Sequence, residues 1–538
     1  MPKPKIPNQK KKYQELNTRL NKYVALVEQI YDTLNLEAAK VVSRTDYSVD
    51  SGKPFKWSDY PQTKKQIDDI QVQFVNDIHT IIYRGTSEEW KNSNEVQDLM
   101  ANKVLKAYNA QVDKEKYKVL YQTNHDALKA FQNRKDKGFN VSAKLWQQST
   151  IYKQELEAAI SCAIQKGTSA ITLSKRISKY LLDFSLLQKD YKDKYGSAEH
   201  LMDCEYRSIR LARSEINMAY RTAENERWKQ MDFVVGYEIK LSGNHRHRMP
   251  HGDICDTLAG KYPKDFTWTG WHPNDLCYKV PILKTEEEFW KWDGRSEPTT
   301  ESVNEVKDVP DAFKKWVLEN NQKIEKAQKR NTLPYFLKDN KLIIQNINVE
   351  NSVKDIVNRA SLVGDEVQSL AKSIAERNKG FVTPINYKSI SSITRKVTTE
   401  GITSYDIKDA VRTTIIVPKS EIEQVLTELP ESGSFVRLKR QKPECFMGYS
   451  GNIVNIRTSN GLIAEIQVNT ERMIYAKEKP ENAKRILGEK RWKEIQKQTG
   501  MEGGLGHKYY EEWRALDKTD KQAKKIVEKS IEYYSHFQ

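Results

Sequence analysis

Three short apolar runs, Ala410 to Val417, Asn452 to Ile456 and Leu462 to Val468, set the tightest limit on what this chain can fold into. Each has the length of a strand. In the third, Glu465 and Gln467 alternate with Ile466 and Val468, so the polar pair shares one face while the apolar pair enters the opposite layer. Upstream, Lys388, Ser392 and Lys396 recur every four residues, a spacing that stacks three polar groups on one face of a helix. Asp409 stands just before the first run, Arg412 just inside it, and Gly448-Tyr449 before the second. The expected result is a sheet presenting acids and an amide beside a helix bearing two lysines. Carboxylates suit a hard cation, and ammonium and guanidinium groups suit phosphate oxygens, so this is an inventory for a magnesium-bound polyphosphate. Taken singly, each residue reads first as a solvated helix face, a water-facing strand position or a surface ion pair. Their order along the chain is what favours a site.

The pieces Lys388-Ser-Ile-Ser-Ser392-Ile-Thr-Arg-Lys396, Asp409-Ala-Val-Arg412, Gly448-Tyr449 and Glu465-Ile-Gln467-Val resemble the ordered motifs of the RelA/SpoT-like nucleotide pyrophosphokinase family. The resemblance implies transfer of the β,γ-diphosphate of ATP to a hydroxyl, usually on a guanosine nucleotide and in some toxins on a tRNA end. It implies that Lys388, Ser392, Lys396 and Arg412 hold the ATP phosphates and that Asp409 and Glu465 carry Mg2+ with ATP. It further implies Glu465, Gln467 and Asp409 as catalytic groups, with Tyr449 and His507 on the acceptor side. The chain departs from the family pattern in having Asn386 where Arg is usual and Ile453 where His often stands. Asp409 and Asp406 lie three and six residues before Arg412, where the family commonly places its aspartate five before.

The preceding chain reads as helical. Leu16, Leu20, Tyr23, Val24, Val27, Ile30, Tyr31 and Leu34 recur at three- and four-residue steps, and Asp46 to Pro61 breaks the pattern. Helical patterns resume from Lys64 and from Lys144 to Ile164, where Gly167 is the expected cap, and Ser169 starts another over Ile171 to Phe184. Arg213, Ile216, Asn217 and Tyr220 fall on one helix face with Glu215 nearby, which predicts either a buried Arg–Glu–Asn network or a surface ion pair. After a strand from Phe233 to Leu241 comes a loop holding His245, His247, His251, Asp253, Cys255, His272 and Cys277. His251, Cys255, His272 and Cys277 could supply two nitrogens and two thiolates to a Zn2+ ion; exposed histidines and merely buried cysteines are the plain alternative.

Arg213-Ser-Glu215-x-Asn217-x-Ala219-Tyr220, then Cys255-Asp-Thr-Leu-Ala-Gly260-Lys261, then His272-Pro273-Asn-Asp-Leu-Cys277 resemble the Mu-type phage head-morphogenesis (minor head protein) family. That resemblance implies a structural role in the virion, inside the capsid at the portal vertex, with portal and capsid proteins as partners.

The expected fold class is therefore multidomain α+β. A helix-rich N-terminal half carries a small strand-and-loop module that zinc could clip, and a C-terminal mixed β-sheet is flanked by helices in the RelA/SpoT synthetase manner. The expected boundaries are a helical region over 1–143, the head-morphogenesis-like domain over 144–283, a linker with a helix over 284–350, and the pyrophosphokinase-like domain over 351–538. Within the linker, Ser296 to Thr300 punctuates the chain, a helix runs from Ala312 to Arg330, and Pro334 ends it; a further helix spans Val353 to Asn378. A net charge of +16 predicts anionic surroundings, including packaged DNA held by non-specific charge. No apolar run is long enough to span a bilayer and no signal peptide is visible, which predicts a soluble chain with no membrane partner. Five scattered cysteines predict a reducing compartment, such as the host cytoplasm during assembly or after delivery. Three functions stay open: a minor head protein that transfers diphosphate from MgATP to a nucleotide or tRNA acceptor; a purely structural virion protein with an inactive C-terminal domain; and an RNA-binding or nuclease toxin module.

Overall fold

The computed structural model describes residues 4–45, 53–108, 123–164, 169–243, 245–290, 302–403, 406–432, 435–442, 446–517 and 520–538. Gly167, Ser296 to Thr300 and Cys445 fall outside the described residues. The chain is multidomain α+β and divides into two compact units, Met1–Ile344 and Gln345–Gln538. Among the described residues no helix is long and apolar enough to cross a membrane.

The N-terminal unit is built on long amphipathic helices. In Gln9–Ser43 the residues Leu16, Leu20, Tyr23, Val27, Tyr31, Leu34 and Ala38 form a buried stripe, and the Asn8 side chain caps its start by accepting from the Lys11 amide. From Val27 onward the stripe packs with the helices Pro61–Ala107, Val141–Ala163 and Cys204–Gln230 around one core, while Leu16, Leu20 and Tyr23 pack with Ile216 and Tyr220. As the sequence predicts, Ser169 caps the helix Ala170–Leu182. Strands β1 (Val234–Lys240), β2 (Gly260–Tyr262) and β3 (Tyr278–Leu283) form an antiparallel sheet in the order β2-β1-β3. The described part of 302–340 packs here: Phe313 meets Phe266 edge-on, and Trp271 meets Phe336.

Two local expectations in this unit need correction. The single helix over Ala312 to Arg330 is two helices, Asp311–Glu319 and Asn321–Lys329, broken at Asn320. Pro334 is the N-cap of the short helix Tyr335–Lys338, because a residue without an N–H fits where helix donors go unpaired. The expected Arg–Glu–Asn network is also divided. Arg213 donates to Asn17 and Asn21, buried Glu215 accepts from Arg134 at 2.6 Å, and Asn217 donates to the Asp275 carbonyl. The residue that organises the following loop is Arg221, fully buried, which donates to the carbonyls of Thr269, Asp275 and Cys277.

The C-terminal unit carries a six-stranded mixed sheet: β4 (Phe381–Val382), β5 (Asn386–Tyr387), β6 (Val411–Ile416), β7 (Phe435–Gln441), β8 (Gly451–Arg457) and β9 (Ile463–Asn469). The order is β4-β6-β9-β8-β7, with β5 also paired to β6. Only β6 and β9 run parallel; the other pairs are antiparallel. One face is apolar: Val411, Ile415, Val454, Ile456, Ala464, Ile466 and Val468 pack against Ile356, Val363, Val367 and Ile374 of the helix Lys341–Arg377 and Leu426 and Leu429 of Ile422–Glu431. That helix starts well before Val353. A second small core, built on Tyr475, Trp492, Tyr533, Tyr534 and Phe537, joins the helices that follow β9.

Candidate active site

Strand alternation leaves the other sheet face polar. Arg412 on β6 is the register partner of Glu465 on β9, and Thr414 that of Gln467. Asn386 on β5 pairs with Arg412 and Asn455 on β8 pairs with Glu465. These residues therefore rise from one side in a single row, while Val411, Thr413, Ala464 and Ile466 turn to the core. Glu465 and Gln467 are half-buried and share a face, as their spacing predicts.

Lys388 does not lie on the helix expected from its spacing. The helix is Ile390–Glu400, and Ser389 caps it by accepting from the Ser392 amide, so the helix cannot extend back to Lys388. Lys388 instead extends β5, its amide donating to the Ala410 carbonyl at 3.0 Å. Standing two residues after Asn386, it keeps to that residue's side of the sheet. Ser392 and Lys396 are on the helix. The Ser392 hydroxyl accepts from that of Ser389 at 2.9 Å.

Asp409 joins the two lysines. Its carboxylate accepts from Lys388 Nζ at 2.7 Å and from Lys396 Nζ at 3.0 Å on each oxygen. Burial alone would raise this carboxyl's pKa, but the hydrogen bonds and charges of the two ammonium groups outweigh it and hold the pKa below the usual aspartate range. Asp409 is thus ionised and lysine-clamped. Asp406 is exposed and accepts from the Thr403 hydroxyl instead.

A second chain of contacts runs along β9. Gln467 Nε2 donates to Glu465 Oε1 at 2.7 Å, and Lys477 Nζ donates to Gln467 Oε1 at 2.9 Å. Lys477 also lies 5.6 Å from the centre of the Tyr449 ring, whose hydroxyl accepts from Asn469 Nδ2 at 2.9 Å. The Gly448-Tyr449 turn is seated on the C-terminal helix Lys521–Ser535. Gly448 has φ +73°, and a Cβ there would come within 2.6 Å of Ile531 Cα. Tyr449 meets Tyr534 edge-on at 5.6 Å. Ile453 pairs with Gln467.

The geometry thus brings Lys388, Lys396 and Asp409 into one cluster, Arg412 and Glu465 into one register row, and Glu465, Gln467, Lys477 and Tyr449 into one contact chain. His507, in the helix Leu505–Arg514, lines a cleft of about 640 Å³ with Lys479, Pro480, Glu502, Lys508 and Glu511, and none of the other site residues lines it. Sequence reasoning missed Lys477, Asn455 and Arg437. The Asn455 side chain holds the Lys408 carbonyl at 2.9 Å and accepts from Arg437 Nε at 2.8 Å. A basic residue one short helix after β9 was the available signal for Lys477.

Of the residues expected to hold zinc, Cys255 lies beside Cys277 in one group and beside His272 in another, and His251 is in neither. It sits exposed on the turn between the helices His245–Arg248 and Ile254–Leu258, and His245 takes its place beside the thiols.

Fold and site together define a helix-backed mixed sheet whose polar face carries Lys388, Arg412, Glu465 and Gln467, with Asp409 and Lys396 joined to Lys388; ammonium, guanidinium and carboxylate groups are the kinds that suit a polyphosphate and a divalent cation. Over 181 residues, 33% of its length, the chain is 35% identical to the (p)ppApp synthetase toxin Tas1 of Pseudomonas aeruginosa (strain UCBPP-PA14). It spans 41% of that protein's length. A solved structure, the complex between the Type VI effector Tas1 and its immunity protein, is 32% identical, with 35% of this chain and 96% of that chain covered and a TM-score of 0.32. No protein-family model matches the chain.

Proposed function

We propose that the C-terminal unit is a toxin-type pyrophosphokinase that transfers the β,γ-diphosphate of MgATP to a nucleotide hydroxyl. The observation that carries the reading is the placement of Lys388, Arg412, Glu465 and Gln467 on one side of the sheet, with Lys396 tied to Lys388 through Asp409. The sequence similarity to a (p)ppApp synthetase supports it and puts adenosine nucleotides first among acceptors.

In this reading the acceptor hydroxyl oxygen attacks the β-phosphorus of ATP. The bond from that phosphorus to the α,β-bridging oxygen breaks, AMP leaves, and the hydroxyl proton passes to Glu465. Gln467 holds one carboxylate oxygen of Glu465 and is itself held by Lys477, so the other oxygen is left to meet the hydroxyl. An ammonium group has three donors, so Lys388 and Lys396 retain hydrogens for phosphate oxygens while bound to Asp409. Arg412 is exposed on the same side and adds a planar fork. Asp409 and Glu465 are the carboxylates that would hold a magnesium ion brought with ATP, which would neutralise phosphate charge. Positioning and charge neutralisation, rather than covalent chemistry, account for the rate.

For the N-terminal unit the proposed role is anchorage in a phage particle near the portal. It is supported by the ordered motifs from Arg213 to Cys277, and virions lacking this chain by mass spectrometry would contradict it. The test of the enzymatic reading is incubation with γ-labelled ATP and ADP, ATP, GDP, GTP or tRNA in turn. A labelled product formed with AMP supports it; no AMP with any acceptor overturns it.

A further inference from the structure

The segment between β1 and β3 brings thiols and imidazoles together. Cys255 and Cys277 are each 1% exposed and His245 is 7% exposed. Their three ligand atoms lie within 4.8 Å of one another, and so do those of Asp253, Cys255 and His272. Cys255 belongs to both groups, and its Sγ is 3.2 Å from His272 Nε2.

We propose that His245, Cys255, His272 and Cys277 bind one zinc ion that staples the helices His245–Arg248 and Ile254–Leu258 to the segment entering β3. Tetrahedral zinc, with bonds of about 2.0–2.3 Å, sets its ligand atoms roughly 3.3–3.8 Å apart. Cys255 Sγ and His272 Nε2 stand 3.2 Å apart and His245, Cys255 and Cys277 lie within 4.8 Å of one another, so His272 closes on the other three when all four meet one ion. Three further contacts define the roles around it. His272 Nδ1 donates to the Pro273 carbonyl 2.8 Å away, so Nδ1 carries the proton and Nε2 presents its lone pair toward Cys255. Asp253 caps the helix Ile254–Leu258 through the Cys255 amide at 2.7 Å and touches both imidazoles, His272 Nε2 at 3.2 Å and His245 Nε2 at 3.5 Å. Asp256 holds His245 Nε2 at 2.8 Å and is paired with Arg246. The carboxylates thus stand as neighbours of the ligands.

A thiol–imidazole catalytic dyad fits this geometry less well. An orienting carboxylate belongs on the imidazole nitrogen away from the thiol, whereas Asp253 and Cys255 meet the same Nε2 of His272. Ion binding displaces one proton from each thiol, leaving two thiolates and two neutral imidazoles around the cation. Arg221 fastens the same segment through the Asp275 and Cys277 carbonyls, so the staple closes a loop already tied to the helix Cys204–Gln230.

The test is metal analysis of the full-length chain purified reducing and without chelator, followed by cobalt substitution. The expected result is about one zinc per chain, released when the thiols are titrated with a mercurial, and a thiolate-to-cobalt charge-transfer band in the Co2+ form. His245→Ala and Cys277→Ser should lose the metal, while His251→Ala should keep it in full. His272→Ala, at the more exposed ligand, should retain a folded chain with weakened binding and an altered cobalt spectrum. Absence of zinc together with no cobalt band in the reduced wild-type chain overturns the proposal. So does a Cys255–Cys277 disulfide in place of metal, or loss of metal in His251→Ala equal to that in His245→Ala.

Discussion

Arg412 and Glu465 are direct register partners on the parallel strands β6 and β9. A guanidinium and a carboxylate therefore leave the same side of the sheet one strand spacing apart, with Asn386 and Asn455 continuing the row on either flank. Lys388, which keeps to that side, shares Asp409 with Lys396. The sheet supplies the spacing, and the capped helix after Lys388 supplies the second ammonium group.

Removing one lysine should affect nucleotide binding more than folding. Lys388→Ala or Lys396→Ala leaves Asp409 with its other partner, so stability should change by about 1 kcal/mol or less. Loss of a charge-assisted contact to phosphate, about 1.5–3 kcal/mol, should raise the apparent Kd for MgATP about 10- to 100-fold. Calorimetric titration of each variant with MgATP and unfolding in urea check both halves.

Asp409→Asn should act differently, because it leaves two ammonium groups together with no counter-charge. Stability should fall by about 1–3 kcal/mol. The penalty should shrink when Lys396→Ala is added, a coupling that a double-mutant cycle in urea measures directly. Equal penalties in the two backgrounds would contradict the clamp.

Gly448 separates packing from backbone strain. Both Gly448 and Gly401 have positive φ, +73° and +62°, but a Cβ on Gly448 meets Ile531 while nothing lies within 4 Å of one on Gly401. Gly401→Ala should cost only the left-handed penalty, about 1 kcal/mol. Gly448→Ala should cost about 1–3 kcal/mol more, from displacement of the helix Lys521–Ser535. Thermal unfolding of the two variants gives the comparison.

Stability of the helical core should depend on pH through Glu155. Burial, with help from Asp203 and Glu205, pushes its pKa up to about 8, against the single amide hydrogen bond from Cys204. The folded state therefore holds this proton more tightly than the unfolded chain. The stabilisation is complete below about pH 4.5 and is lost as pH rises through about 8. Glu155→Gln should gain on the wild type in Tm between pH 5 and pH 8. A Tm difference that is the same at both pH values would contradict this.

Much of this was legible in the sequence where a period was long or an alternation was clean. The buried stripe from Leu16 to Leu34 and the strands β1, β6, β8 and β9 follow apolar spacing that only one element type satisfies. Strand β7 was hidden because it lies at the sheet edge, where Arg437, Lys439 and Arg440 replace apolar residues and discourage pairing with another chain. Strands β4 and β5 have two residues each, too few for any period. Four-residue spacing placed Lys388 on a helix because spacing is blind to a cap, and Ser389 is that cap. His245 escaped selection because partners set by a turn and two short helices leave no regular spacing, whereas His251-x-x-x-Cys255 imitates one.

The most direct test of the central claim is phosphorus NMR of MgATP and ADP turned over by the full-length protein and by Glu465→Gln. The wild type should release AMP in step with a diphosphorylated product, while the variant, folded and still binding MgATP, should turn over at least about 100-fold more slowly. Equal turnover by the variant, or release of inorganic phosphate and ADP without a diphosphorylated product, would contradict the assignment.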